Sequence, residues 1–410
     1  MKSVKILSVF AAVFIFVSCG GNKVVSSLES EVLFNLEYGN FEEELNMFNL
    51  AKIGGINTSI VMKDGFFYIL NGESKKIMEM TSYGDLLTLY YNPKFNPSPS
   101  FSNVSSKTEN VEVVSASRSA VPFEFNDATL LAVDSRKHLY VVDKLPLDRI
   151  EYDSKMQLSL SEIVVRFDEA NKNLIYLGQQ GPGGSPFPHI KNIFTTSENE
   201  LVVLCSTATG FYVYWFDCDG SLMFSVPVEK ENIPNPYSQD SADSFFSIGS
   251  IIPDCNSHKL YIKVDYYGSF IDDASRVQSG INFLSTIIHV FDIDDAKYET
   301  SFSIPPYSEE IAEKFSKEIY DIPYDFLGVT ESGWMYFIVN TDEGFNLQMV
   351  QIDGQRILKR KIILDREECP FYTFNLDRRG IISALLVKKN NASIAWWRVD
   401  LLLLQAVIKK

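Results

Sequence analysis

Histidine is nearly missing from this chain: His138, His189, His258 and His289 are the only four. None lies within metal-ligand spacing of another, so no sequence-local histidine metal centre can form. No Gly-x-Ser-x-Gly elbow is present to present a nucleophilic serine. The glycine-rich stretch 178–184 lacks the Gly-Lys-Ser/Thr end of a phosphate-binding loop. Cysteine is also sparse. Beyond Cys19 there are Cys205, Cys218, Cys255 and Cys369, with no Cys-x-x-Cys pair, which leaves zinc and thioredoxin-like redox chemistry without a motif. A symmetric hairpin turn after Cys205 would set it opposite Tyr212 and away from Cys218, so free buried thiols are expected. Positive charge is short as well: 37 Lys and Arg stand against 53 Asp and Glu. That balance excludes nucleic acid and electrostatic adhesion to anionic lipid, which both need basic patches.

Long apolar runs are absent too, apart from one at the start. Lys2 and Lys5 precede residues 6–17, broken only by Ser8, and Ser18-Cys19-Gly20-Gly21 follows. The run is shorter than the roughly 20 residues a spanning helix needs, and has the form of an export signal. With Cys19 after small residues it resembles a bacterial lipoprotein signal, although Phe16 stands where leucine is usual. The expectation is cleavage of 1–18, lipidation of Cys19, a tether over 19–30 and one domain over 31–410. Cleavage would remove Lys2 and Lys5, leaving 35 basic (37 less 2) against 53 acidic residues. Such a protein would sit in the cell envelope, lipid-anchored to a bacterial membrane on its periplasmic or surface side.

What the sequence has in abundance is a recurring strand. Phe67, Leu139, Leu201, Leu260, Met335 and Ile381 each open an apolar, aromatic-rich run, at intervals of 46 to 75 residues. A second strand closes on a large apolar residue and an aspartate: Phe167-Asp168, Phe216-Asp217, Phe291-Asp292, Ile352-Asp353. Repeats of this length built only of strands and turns signal a β-propeller, here all-β and six-bladed. The third unit is the cleanest, with strands expected at 190–195, 201–205, 212–216 and 222–226. Residues 31–36 have no hairpin of their own, so they are expected to complete the last blade and close the ring.

Three insertions interrupt the repeat. Residues 92–119 are rich in Ser, Asn and Pro and read as a mobile loop. Residues 266–285 separate the inner and outer strands of blade four. Residues 305–322 predict an inserted helix near 306–320: Ser308 caps it, Glu309 and Glu310 suit its positive end, and Ile311, Phe315 and Ile319 form one stripe packed on the propeller flank.

The loop Leu177-Gly178-Gln179-Gln180-Gly181-Pro182-Gly183-Gly184, followed by Phe187-Pro188 and Ile190, resembles the inter-blade loop of NHL-type six-bladed propellers. Residues 40–45 form a degenerate copy. With 130–143 and Tyr214-Trp215-Phe216, the mature chain is similar to the spirochaete NHL-like propeller lipoproteins, a family largely without assigned biochemical function. The resemblance implies fold and lineage and carries over no catalytic residue.

Propeller enzymes offer tests. The Ser-x-Asp-x-Gly-x-x-Trp boxes of sialidases are missing, and four tryptophans cannot supply the blade-docking set of quinoproteins. The aspartates of 217–220 and 292–295 fall where each blade needs a turn, and neither extends to a calcium loop. Asn71, Asp143, Asp265 and Asn340 all end the second strand of their blades, which should put them on one face of the disc. Each either caps its own turn or contributes to a polar ligand-facing ring. No catalytic residue, metal ligand or cofactor is assigned. The expected role is a monomeric, non-catalytic binding or scaffolding module for a protein or glycan partner in the envelope. The alternative is a metal-dependent hydrolase of the gluconolactonase-like type, whose Glu, Asn and Asp ligands come from separate blades.

Overall fold

The computed structural model describes residues 25–48, 50, 55–101, 118–168, 174–237, 244–271, 278–313, 316–353 and 356–408. Their strands form six sheets of four or five strands and two separate hairpins. The innermost strands are Thr58–Lys63, Leu130–Val133, Ile190–Thr195, Ser244–Pro253, Asp325–Val329 and Phe371–Leu376. Each is followed outward by antiparallel neighbours, giving six blades. Blade three has strands Ile190–Thr195, Leu201–Ser206, Gly210–Phe216 and Leu222–Glu229, and its register sets Cys205 opposite Tyr212. The four described cysteines are unpaired.

The second strands explain why the repeat was so visible. Leu201–Ser206 is buried along nearly its whole length, because a blade is covered on both faces by its neighbours. A strand buried on both faces reads as a continuous apolar run. The outer strand Leu222–Glu229 alternates instead, as a half-covered strand should. Apolar clusters fill the gaps between blades. Trp215, Val202 and Val213 of blade three pack with Leu260, Ile262 and Val264 of blade four. Trp215 is fully buried, so its truncation to alanine would cost about 3–5 kcal/mol.

Ring closure follows the expected route. Glu31–Glu37 lies antiparallel to Asn391–Trp397 as the outermost strand of blade six, with Glu31 opposite Trp396 and Glu37 opposite Asn391. Phe34 from this strand meets Phe67 of blade one edge-to-face at 5.8 Å. Ser27–Leu28 then adds a short parallel strand to the outer edge of blade five. Ser119–Pro122 adds a parallel strand to blade one, and Gly181–Pro182 an antiparallel one to blade two. Covered edges offer no template for foreign strands.

The two faces of the disc are built differently. On the turn face, the first strand turns into the second and the third into the outermost. Several of those turns share one device: the first residue's side-chain oxygen accepts an N–H from four residues on. Asp134 takes His138 N–H at 2.8 Å, Thr330 takes Trp334 N–H at 3.1 Å and Asp377 takes Ile381 N–H at 2.8 Å. Asp217 does the same for Ser221 at 2.8 Å, which accounts for one aspartate of the recurring pattern. Gly380 within such a turn has φ +95°, and a Cβ there would meet Tyr336 Oη at 2.5 Å.

The opposite, connection face carries the links between blades and the turns between second and third strands. Every insertion issues from it. The ribbon of blade four is a continuation of its own hairpin: strands Lys259–Ile271 and Gln278–Asp292 run 13 and 15 residues. Blade two adds a hairpin not anticipated from the sequence, Glu151–Asp153 with Leu158–Leu160. Of the first insertion, residues 92–101 fold back: Asn92 Nδ2 donates to Phe125 O at 2.9 Å and Asn96 Nδ2 to Ser74 O at 2.7 Å; 102–117 lie outside the described residues.

The helix expected at 305–322 is instead a hairpin, Tyr307–Glu313 paired with Ser316–Ile322, Tyr307 facing Ile322. Prolines 305, 306 and 323 bracket it, and residues before proline avoid helical geometry. The segment must also return from the outer edge of blade four to the innermost strand of blade five. A hairpin brings its ends together, whereas a helix of about 15 residues would end roughly 22 Å away. Ser308 Oγ bonds Asp321 Oδ1 at 2.6 Å across the hairpin rather than capping a helix. Phe315 lies outside the described residues. The α-helix present, Val399–Ile408, follows the last strand and buries Leu403 among blade-five and blade-six residues. Among the described residues no helix is long and apolar enough to cross a membrane.

Candidate functional site

The six innermost strands enclose a central channel with a cavity volume of about 400 Å³. Ser59, Asn192, Thr373 and Asn375 give its wall polar groups, and Phe194 and Leu327 apolar ones. Neighbouring innermost strands bond directly: Asn375 Oδ1 accepts Met62 N–H at 3.0 Å, and Thr195 Oγ1 donates to Val133 O at 2.9 Å.

Arg378 spans the turn-face mouth. Its guanidinium, from blade six, donates to Thr196 O of blade three at 2.9 Å and to Ser135 Oγ of blade two at 2.7 Å. Its Nε lies 3.4 Å from Glu331 of blade five. Blades three and six are diametrically opposite in a six-membered ring, so the guanidinium lies across the channel axis. Beside it Arg379 approaches Asp64 of blade one at 3.3 Å, and Asn256 of blade four donates to Glu331 O at 3.4 Å. All six blades are thus laced at one end. Burial raises the Glu331 and Asp377 carboxyls in this cluster.

The four positions of the proposed polar ring stand at the connection-face level of their second strands, away from the channel wall. Asn71 is buried; its Oδ1 accepts Asn46 N–H at 2.9 Å and its Nδ2 donates to Thr58 Oγ1 at 3.0 Å. Asp143 accepts N–H bonds from Asn126, Asp127 and Lys144, and burial raises its carboxyl despite them. Asp265 holds Lys263 Nζ and Thr286 Oγ1, both at 2.5 Å. Asn340 is exposed beside the blade-five turn. The first three fasten loops or strands of their own neighbourhood, and the structure does not bring the four together. Cys19 lies outside the described residues.

Two buried bases lie within the blades, Lys76 at the connection end of its strand and His289 at mid-blade. Lys76 donates to Phe41 O at 2.5 Å, and burial lowers its ammonium to about 8. His289 Nε2 lies 2.8 Å from Tyr266 Oη, and burial lowers its pKa to about 4. The other histidines have separate partners: Asp134 for His138, Glu162 for His189, and Glu200 with Asp294 for His258. Among the described residues no group of three His, Cys, Asp or Glu side chains could hold a metal ion. The Gly-rich loop acts as a brace, with Gln179 Nε2 donating to Pro186 O at 2.7 Å and Oε1 accepting from Tyr214 Oη at 2.9 Å. Between it and the blade-two excursion lies a second cavity of about 430 Å³, lined by Asp148, Arg149, Glu151 and Tyr176 among others.

Sequence reasoning missed Arg378. The available signal was a turn, Asp377-Arg378-Arg379-Gly380, with two adjacent cations in an acidic chain. What the guanidinium reaches depends on ring geometry.

These features define a six-bladed β-propeller whose insertions issue from one face. No family model matches the chain, and no curated protein does. Among solved structures it is similar to hydrazine synthase of Kuenenia stuttgartiensis, at 10% identity and TM-score 0.41 over 82% of each chain. It is similar to the propeller domain of the Trilobed protease of Pyrococcus furiosus, at 11% identity and TM-score 0.42 over 83% of this chain and 93% of that one. A gluconolactonase of Xanthomonas campestris matches at 9% identity and TM-score 0.38 over 91% and 97%. Likenesses this distant carry no argument about function, and the architecture rests on the strand pairing.

Proposed function

We infer that this chain is an envelope lipoprotein, tethered to a bacterial membrane through Cys19, whose disc serves as a non-catalytic binding or scaffolding module. The partner, a protein or glycan, is engaged through the connection face. One observation carries the reading: every insertion issues from that face, while Arg378 crosses the channel mouth at the other. Loops on a rigid scaffold are where binding is usually built. The export-type start with Cys19 and the resemblance to spirochaete propeller lipoproteins support the anchor.

Affinity capture from crosslinked envelopes tests the binding role. A reproducible protein or glycan partner is expected, lost when the 307–322 hairpin is replaced by a short Gly-Ser link. Absence of any reproducible partner overturns the reading. The anchor has its own test: Cys19→Ala should abolish acyl labelling, and unchanged labelling would remove it.

A further inference from the structure

Three arms project from the connection face: the blade-two excursion, the blade-four ribbon and the 307–322 hairpin. Apolar residues such as Leu147 and Ile319 stand exposed on two of them, and so do Leu174 and Met223 at the turn-face end, so exposure alone singles out no surface. The blade-two arm has a further property. It roofs the second cavity, of about 430 Å³, within the roughly 300–1,000 Å³ range of small-molecule sites. The axial channel follows from closing any ring of six blades. This cavity exists because blade two carries an excursion, and the ring has no need of it.

Leu145, Leu177 and Pro186 give the cavity a buried apolar floor, and Ile163 is half-buried beside them. Tyr176, 44% exposed, adds an aromatic ring, and Gly183 leaves open space where a side chain would stand. The 3₁₀ turn Leu147–Arg149 brings Asp148 and Arg149 to the rim, and Glu151 opens the strand after it. No hydrogen bond or ion pair joins these three side chains to each other or to another described residue. Asp153, two residues on, is by contrast consumed by its own turn, accepting Lys155 N–H at 2.7 Å and Met156 N–H at 3.0 Å. The frame is fixed at its neck: Leu145 N–H donates to Ser161 O at 2.8 Å and Ser161 N–H to Phe187 O at 3.0 Å.

Carboxylates only accept hydrogen bonds, and a guanidinium only donates them. A ligand that satisfies both while lying on an aromatic ring carries hydroxyls, which donate and accept, together with an apolar C–H face. An anion would meet Asp148 and Glu151 in a chain of formal charge −16. A metal ion finds no group of three ligands among the described residues. An extended peptide seeks a free strand edge, but Gly181–Pro182 already covers Leu177 and Gly178, and Gly183 N–H donates to Tyr176 O at 2.9 Å. A sugar ring fits the donors, the acceptors and the floor together.

We propose that this cavity seats one or two units of a neutral glycan, with Tyr176 against the ring face, Arg149 donating to hydroxyl oxygens and Asp148 and Glu151 accepting from hydroxyls. The proposal rests on the reading of the connection face as a binding surface and names a glycan as its partner. Purified full-length protein is titrated calorimetrically with maltose, cellobiose, lactose and N,N′-diacetylchitobiose, and with a sulfated heparin disaccharide as the anionic counterpart. At least one neutral disaccharide should bind one to one. Arg149→Gln and Glu151→Gln, both at exposed positions, should each weaken it about tenfold with the urea midpoint unchanged. Tyr176→Leu keeps the bulk, loses the aromatic face and should weaken it several-fold. No neutral disaccharide binding at millimolar concentration overturns the proposal, as does binding that both charge variants leave unchanged. Tighter binding of the sulfated disaccharide overturns the neutral class. Envelope capture at wild-type yield by the Arg149→Gln/Glu151→Gln double variant leaves the binding role standing and overturns the glycan site. If wild-type protein captures nothing, the binding role falls, while the titration still decides the cavity.

Discussion

The turn face and the connection face use the same strands to opposite ends. On the turn face short turns close on their own Asp or Thr side chains, and Arg378 ties four blades across the axis. On the connection face the same strands overrun the disc as a ribbon and two hairpins. Stability and decoration are thereby separated in space: the residues that hold the ring are not those that vary its outline. A face free of that task can carry long, exposed projections at little cost to the fold.

Two histidines offer the sharpest way to set the turn face apart from the blade interior. His289, buried at mid-blade in blade four, is held neutral, its pKa lowered from 6.5 to about 4. The unfolded chain therefore binds that proton first, and stability is lost as pH falls from 6.5 toward 4. The loss should reach on the order of 2–3 kcal/mol. His289→Gln should flatten that limb of a urea-midpoint profile, and an unchanged slope would refute the assignment.

Arg378→Ala comes next. It removes the lacing of blades two, three and five and takes from partly buried Glu331 one of its two nearby cations, for a loss of about 2 kcal/mol. Arg378→Lys should recover only part, since a point cation cannot span both acceptors. Equal stability of Ala, Lys and wild type in chemical unfolding would break the contrast between faces.

His258 is the turn-face counterpart. Burial opposes its charge, yet Glu200 of blade three and Asp294 of blade four hold the imidazolium and raise its pKa above 6.5. Its contribution is complete below pH 6.5 and fades as pH rises through the folded value. His258→Asn should therefore cost stability at pH 6 and progressively less above it, visible as melting curves that converge. The smallest effect belongs to the arms. Ile319→Ser with Leu147→Ser should change stability by less than about 0.5 kcal/mol. A larger change would mean that the arms also support the ring.

How much of this was legible depended on whether a residue answers to its neighbours in sequence or in space. The second strands, such as Leu139–Lys144, announce themselves because burial on both sides forces apolar runs. The closing strand was legible as a strand without a hairpin partner. The 307–322 segment misled because its acidic start and spaced apolar residues fit a helix, while the link it lies in, from the outer edge of blade four to the innermost strand of blade five, is not written locally. Arg378 was silent for the same reason at larger scale: its partners lie on three other blades. Asn71 and Asp143 were legible as chain positions, but only the folded loops show that they grip Asn46 and Asn126.

The clasp that closes the disc has a consequence for assembly and for load. Residues 31–37 precede their partner, 391–397, by more than 350 residues of chain (391 less 37 is 354). Until the two strands meet, the chain is an open arc with blade six lacking its outermost strand. Once closed, any pull on the residues before 25 falls first on the two-residue strand beside blade five and then on the clasp. Whatever grips the chain by its beginning also holds the latch of the ring.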